Sequence, residues 1–329
     1  MYLYQHIAFS TSPDGTRVAT AATGRGPPLV RAAHWLSHVE FDADSTVWCP
    51  WLVALSRDHR YLRYDQRGCG LSDRDVTDVS LAAMVADLEA VTDELPGPFP
   101  LIGMSQGGAV AIEFACRHPH RVSRLVLIRA YARGALRRPA GKGHRQEAEA
   151  LLALVRLGWG RDNPAFRQVF TNQFIPGGTP EQHRWWTELK RRTASPEMAT
   201  AILSAFYRID VIDAARALDL PVLVMHARGD ARVPFDEGRL PAELIPRARF
   251  VPIESDNHVL LQTEPAWPSS DGTGLAEISC GAPRLPAGRA LGNHAAQTVG
   301  RPNARRGRCI RASGRGFRQS DHRRADWQE

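Results

Sequence analysis

Two short runs in this chain, Phe99-Pro-Leu-Ile-Gly103 and Val122–Ile128, are largely apolar, the second interrupted only by Ser123 and Arg124 near its start, and neither alternates with polar residues. A strand with one wet face alternates. A run without alternation fits a strand buried on both faces, as in a parallel sheet covered by helices. Between the two runs, Ser105–His118 reads as a helix that stops near Pro119. The strand pattern returns at Pro221-Val-Leu-Val-Met225 and at Arg249-Phe-Val-Pro-Ile253. The expected class is therefore α/β, with a mostly parallel sheet of eight strands and helices on both faces.

The remaining strands lie upstream. Gln5–Thr11 and Thr16–Ala22 flank the turn Ser12-Pro13-Asp14-Gly15 and read as a hairpin. Leu29–Ala33 and Tyr61–Tyr64 supply two more strands, the second running into the glycine-rich turn Asp65–Ser72. From Ser80, a plausible N-cap, the apolar residues Leu81, Met84, Val85, Leu88, Val91 and Leu95 repeat at helical period.

Between residues 131 and 217 strand signals stop and four helical segments follow one another. One is periodic over Glu147–Trp159, and the others open at Asn163-Pro164, at Thr179-Pro-Glu-Gln182 with a capping box, and at Ser195-Pro196. The expected organisation is a core of residues 1–130 and 218–268, a helical insertion at 131–217, and a different terminal segment at 269–329. That last segment is rich in Gly, Pro, Ser and Arg and has no period of either kind, so disorder is expected there.

The net charge of +7 would point to an acidic partner if it were spread over the fold. It is not, because residues 269–329 hold eleven arginines against five acids, which leaves the body near neutral. Nucleic-acid binding by this tail is weighed against an unstructured read-through, and the second reading is preferred. Five cysteines without a CxxC pair argue against a disulfide framework, and no signal peptide or membrane-length apolar run is visible. A cytoplasmic protein is expected, with no membrane and no nucleic-acid partner. No HExxH or Cys/His cluster suggests a metal, and no cofactor is expected. Oligomeric state has no signature.

Gly103-Met-Ser105-Gln-Gly107 follows an apolar strand and opens a helix. That context makes Ser105 a candidate nucleophile on a strained turn, with the helix N-terminus ready to stabilise an oxyanion. The bland alternative is a helix-capping serine. Asp230 follows the strand at 222–225 and His258 follows the strand ending near Ile253. The order Ser, Asp, His, each at the carboxyl end of a strand, puts three side chains on one sheet edge. Serine needs a base to take its proton, and the base needs a carboxylate to fix its tautomer.

These motifs, together with Asp65-x-Arg67-Gly68-x-Gly70-x-Ser72, Gly229-Asp230-x-x-Val233-Pro234 and Asn257-His258, resemble the α/β-hydrolase fold family over residues 5–267. More narrowly, the segment from Pro28 to His38 and the run Arg67–Ser72 resemble a bacterial subgroup often fused to regulatory modules. The resemblance implies that 131–217 is a cap over the active site. Where many members have His-Gly after the third strand, this chain has Ala33-His34. Aligned this way, the N–H groups of Trp35 and Gln106 are implied as the oxyanion hole. The family's final helix after the histidine loop has no counterpart here, and a shifted reading frame would account for the tail.

His34, Trp159 and Trp185 are candidates to line a substrate pocket, among aromatics that could equally serve as helix core. Asp256 reads as a loop residue rather than the triad acid, His226 as a locally bonded histidine, and Cys69 and Cys116 as packing residues. The expected activity is hydrolysis of a carboxylic ester, or a related acyl bond, of a small hydrophobic substrate through an acyl-enzyme. The same triad also supports haloperoxidase-like perhydrolysis, lactone opening, thioester cleavage or C–C hydrolysis. A ligand-binding sensor without turnover and an inactive truncated product are the readings outside catalysis.

Overall fold

A computed structural model of the protein describes residues 4–139, 143–161 and 164–267. The segment 269–329, expected to be disordered, lies outside the described residues.

In chain order the elements are β1 (Gln5–Thr11), β2 (Arg17–Thr23), β3 (Pro28–Arg31), α1 (Cys49–Ser56), β4 (Arg60–Tyr64), α2 (Leu81–Thr92), β5 (Phe99–Met104), α3 (Gly107–Arg117) and β6 (Val122–Ile128). After β6 come α4 (His144–Gly158), α5 (Pro164–Asn172), α6 (Pro180–Thr193), α7 (Pro196–Tyr207) and α8 (Ile212–Ala217), followed by β7 (Val222–Ala227), α9 (Phe235–Leu244) and β8 (Ala248–Ile253). One sheet of eight strands forms in the order β1-β2-β4-β3-β5-β6-β7-β8. It is parallel from β4 to β8, and only the pairings of β2 with β1 and with β4 are antiparallel.

The apolar runs sit where burial on two faces requires them. Every residue of β5 is buried, and Leu101, Ile102, Leu125 and Leu127 are inaccessible to solvent. Each such side chain contributes roughly 1.5–3 kcal/mol relative to leaving it exposed. Helix α3 packs on β5 and β6, with α2 and α8 beside it, while α1 packs on β4. The helical stretch after β6 contains five helices rather than the four expected, because Ile212–Ala217 forms a short additional one. Side-chain caps fix two of the others: Thr179 and Gln182 exchange bonds in a capping box on α6, and on α7 the Ser195 hydroxyl accepts from Met198 N–H at 3.1 Å. Strand β7 nevertheless pairs directly with β6, from Leu125 opposite Val222 to Ile128 opposite Met225. The stretch therefore interrupts the chain without interrupting the sheet.

The turn Asp65–Ser72 is structural. Arg67 makes a two-pronged bond to Asp87 of α2, at 2.8 Å from Nε and 2.7 Å from Nη2, with both side chains buried. The Asp65 carboxylate accepts the Val39 and Leu71 N–H groups at 2.9 Å, and Ser72 Oγ donates to the Asp65 carbonyl at 2.7 Å. These bonds tie the first hairpin, the loop after β3 and α2 together below the site. Among the described residues no helix is long and apolar enough to cross a membrane.

Candidate active site

Ser105 lies between β5 and α3 with φ +51, a left-handed conformation that a non-glycine residue adopts only when its surroundings impose it. The imposition is visible in the packing. A Cβ on Gly107 would stand 2.6 Å from the Ala33 carbonyl oxygen, and one on Gly108 would stand 2.2 Å from the Ala130 Cβ. The glycines let α3 lie against the turns after β3 and β6, and the strand-to-helix reversal lifts Ser105 out of the sheet. Its N–H is held by the Ile128 carbonyl at 3.1 Å.

Asp230, 7% exposed, leaves the end of β7 with its carboxylate fixed on both oxygens. Oδ1 accepts the N–H groups of Arg232 and Val233 at 2.8 and 3.0 Å, and Oδ2 meets His258 Nδ1 at 2.8 Å. Burial opposes ionisation of this carboxyl, but the His258 charge and the hydrogen bonds from His258 and Val233 prevail and hold its pKa below the ordinary value. An ionised Asp230 requires the His258 proton on Nδ1. The lone pair is thereby left on Nε2, which has no hydrogen-bond partner among the described residues.

His258 is 4% exposed, in the loop after β8. Its N–H and that of Val259 both donate to the Phe174 carbonyl, at 2.8 and 3.1 Å. Asn257 Oδ1 accepts the Gly177 N–H at 2.8 Å, and the Trp51 indole N–H donates to the Leu260 carbonyl at 3.0 Å. Below it, Trp51 meets Trp267 edge to face at 5.3 Å. The loop is thus braced from the helical stretch on one side and from α1 on the other.

Ser105 and His258 face one cavity of about 660 Å³, open space at its mouth included, with Trp35, Gln106 and Arg232 also in its wall. The backbone N–H groups of Trp35 and Gln106 donate to no backbone carbonyl among the described residues. In place of His-Gly, the turn after β3 is made with Leu36 at φ +61, and His34 Nδ1 donates to the Trp35 carbonyl at 2.8 Å. His34 lines the cavity, stacked on Trp48 at 4.7 Å, and burial pushes its pKa well below the usual imidazole value, so it is neutral.

The other two expected pocket residues stand elsewhere. Trp159 lies behind the wall, stacked on Trp35 at 5.4 Å, with its indole N–H donated to the Ala194 carbonyl. Trp185 does not line the cavity, because its ring is turned onto Phe41 at 5.3 Å. The aromatic wall comes instead from Phe174, Phe206, Tyr131 and Tyr207. Two further cavity residues are Arg138 and Arg232; with Arg133 and Arg137, Arg138 reads in the sequence as part of a solvated linker, yet its side chain is only 8% exposed, and Arg232 follows no sequence pattern. His226 is neutral and donates from Nε2 to the Val233 carbonyl at 2.9 Å, Asp256 is exposed, and burial pushes the Cys69 thiol up to about 12.

Residues 41–265 match the family model of the alpha/beta hydrolase fold. The pimeloyl-[acyl-carrier protein] methyl ester esterase of Nitrosomonas europaea is 32% identical over 237 residues, covering 70% of this chain and 87% of that protein. The non-heme chloroperoxidase of Streptomyces lividans is 29% identical over 269 residues, covering 78% and 94%. Among solved structures, an esterase from Exiguobacterium antarcticum superposes with a TM-score of 0.65 at 24% identity, covering 76% of this chain and 92% of that one.

Proposed function

The chain belongs to the alpha/beta hydrolase fold family, and on that premise we propose that it is a serine hydrolase that cleaves a carboxylic ester of a small, largely hydrophobic substrate, with Ser105 as nucleophile, His258 as base and Asp230 as the orienting acid. The observation that carries this reading is the 2.8 Å bond from Asp230 to His258 Nδ1, which leaves a bare Nε2 in the cavity that also holds Ser105. One relative is named a methyl ester esterase, in keeping with this reading, and another a non-heme chloroperoxidase, an activity that the same triad could support.

In the proposed reaction His258 Nε2 takes the Ser105 proton as Oγ attacks the ester carbonyl. The new oxyanion accepts hydrogen bonds from the Trp35 and Gln106 N–H groups. His258 then gives its proton to the departing alkoxide, leaving an acyl group on Ser105. Water, deprotonated by the same nitrogen, attacks that acyl group, and the acid leaves as Ser105 recovers its proton. The helical stretch 131–217 acts as a cap, and Trp159 backs it by holding the Trp35 ring in the wall.

Ser105→Ala should abolish turnover of a p-nitrophenyl ester and leave the thermal melt in place. Retained turnover in that variant overturns the assignment.

A further inference from the structure

We propose that the substrate carries a carboxylate, and that Arg138 and Arg232 bind it in the cavity that also holds Ser105 and His258. This rests on the hydrolase reading and narrows its substrate to a monoester of a dicarboxylic acid.

The cavity wall here carries more positive than negative charge. Both guanidinium groups line the cavity that holds Ser105 and His258. Arg232 makes one long hydrogen bond, to Tyr207 Oη at 3.4 Å, and lies over the Tyr207 and Phe174 rings at 5.4 and 6.0 Å. No carboxylate among the described residues stands within ion-pair distance of it, because the neighbouring Asp230 is committed to His258. Arg138, whose side chain is 8% exposed, has its Nε 3.9 Å from Glu237, too far for a hydrogen bond, and that Nε has no other partner. Glu237 is already taken by Arg133, at 2.9 and 3.0 Å. One acid therefore stands among three arginines, and its hydrogen bonds go to the arginine that does not line the cavity.

Arg138 is buried beside an acid already bonded to Arg133, and the half-buried Arg232 has no acid in reach among the described residues, so this part of the wall holds more positive than negative charge and favours an anionic ligand. Burial pushes the Arg138 pKa below the usual arginine value, as does the Arg232 charge nearby. An added carboxylate would relieve both effects. Guanidinium is suited to that partner, since its planar fork matches the two oxygens. The aromatic rings between would hold the methylene chain that joins carboxylate to ester. A role in oxyanion stabilisation is the alternative use of these charges, and it predicts a different kinetic pattern.

The test compares kcat/KM for mono-p-nitrophenyl glutarate and p-nitrophenyl pentanoate, acyl chains of equal length with and without the charge. The wild type should favour the glutarate ester by about tenfold to a hundredfold, the range of one charge-assisted hydrogen-bonded contact. In Arg138→Gln/Arg232→Gln that ratio should fall to near one, and Arg232→Lys should keep part of it. A wild-type ratio of one or less, a ratio unchanged in the double variant, or an equal loss for both esters overturns the proposal. Calorimetric binding of glutarate to Ser105→Ala, with and without the arginine substitutions, separates it from the hydrolase reading. If neither ester is cleaved but glutarate binds only with the arginines present, the hydrolase reading falls and the carboxylate site stands. If glutarate does not bind, the carboxylate site falls whatever the turnover.

Discussion

The backbone N–H of His258 is bonded to the carbonyl of Phe174 at 2.8 Å, and the two rings meet edge to face at 5.7 Å. The histidine proposed as the base is therefore positioned by the segment that places Phe174 in the cavity wall, as well as by the strand that precedes it.

Asn257 tests that coupling, because its side chain accepts the Gly177 N–H and completes the brace. Asn257→Ala leaves that donor without its partner, at a cost of about 1–3 kcal/mol. Urea unfolding should show the loss. Ester turnover should fall more steeply than folded fraction does, since His258 is loosened in the native state. Asn257→Asp retains the acceptor and should recover most of the rate. Parallel loss of rate and folded fraction would show that the brace is only structural.

Asp230→Asn keeps the shape of the acid but removes the charge that places the proton on His258 Nδ1. We expect kcat for a p-nitrophenyl ester to drop by roughly 10⁴-fold, the scale seen where a triad acid is neutralised in this way. Circular dichroism should be unchanged. A drop of less than tenfold would remove Asp230 from the machinery.

Gly108→Ala introduces a Cβ 2.2 Å from that of Ala130. Neither atom is at the end of a flexible side chain, so α3 must move off the sheet and take the Ser105 turn with it. Overpacking of this kind destabilises by about 1–3 kcal/mol, to be read from the shift in melting temperature, and turnover should be largely lost. Normal activity at normal stability would show that the close approach of α3 is not needed.

Asp42 predicts a pH dependence. Burial, opposed by Arg63 at 4.0 Å, raises its carboxyl from 3.8 to about 7. Between those pH values the unfolded chain releases the proton while the folded chain keeps it. The unfolded state therefore gains relative stability as pH rises, and this contribution to folding is progressively lost up to about pH 7. Asp42→Asn cannot titrate. Its melting temperature should gain on the wild type as pH is raised from 4 to 7, and a difference independent of pH would contradict the shift.

The central strands were legible because a strand buried on both faces is largely apolar, as β5 and the last four residues of β6 are, and the first two because a turn joins them as a hairpin. Ser105, Asp230 and His258 were legible as candidates because each follows such a strand within a short motif. Helices α1 and α9 were not foreseen. The first, Cys49–Ser56, is apolar around most of its circumference and shows no stripe. The second holds Gly238 and Pro241, residues that normally break a helix pattern. Gly238 is required there because a Cβ would stand 1.9 Å from His226 Nδ1. Trp159 and Trp185 could be recognised as large aromatics but not assigned a direction, and the structure turns one behind Trp35 and the other onto Phe41. The brace on His258 was hidden for a different reason, since it is made by a carbonyl that every residue type possesses.

Because β6 and β7 pair side by side and in parallel, the stretch between them leaves the sheet at the carboxyl end of β6 and returns through α8 to the amino end of β7. A lineage can therefore lengthen, shorten or replace those helices without shifting the register that carries Ser105 and Asp230. What such a replacement must retain is small: a carbonyl where Phe174 presents one and an N–H where Gly177 does. Any amino acid can supply the carbonyl, and any but proline the N–H. Substrate preference could then drift by inheritance in the helices while the residues proposed to break the bond keep their places at the strand ends.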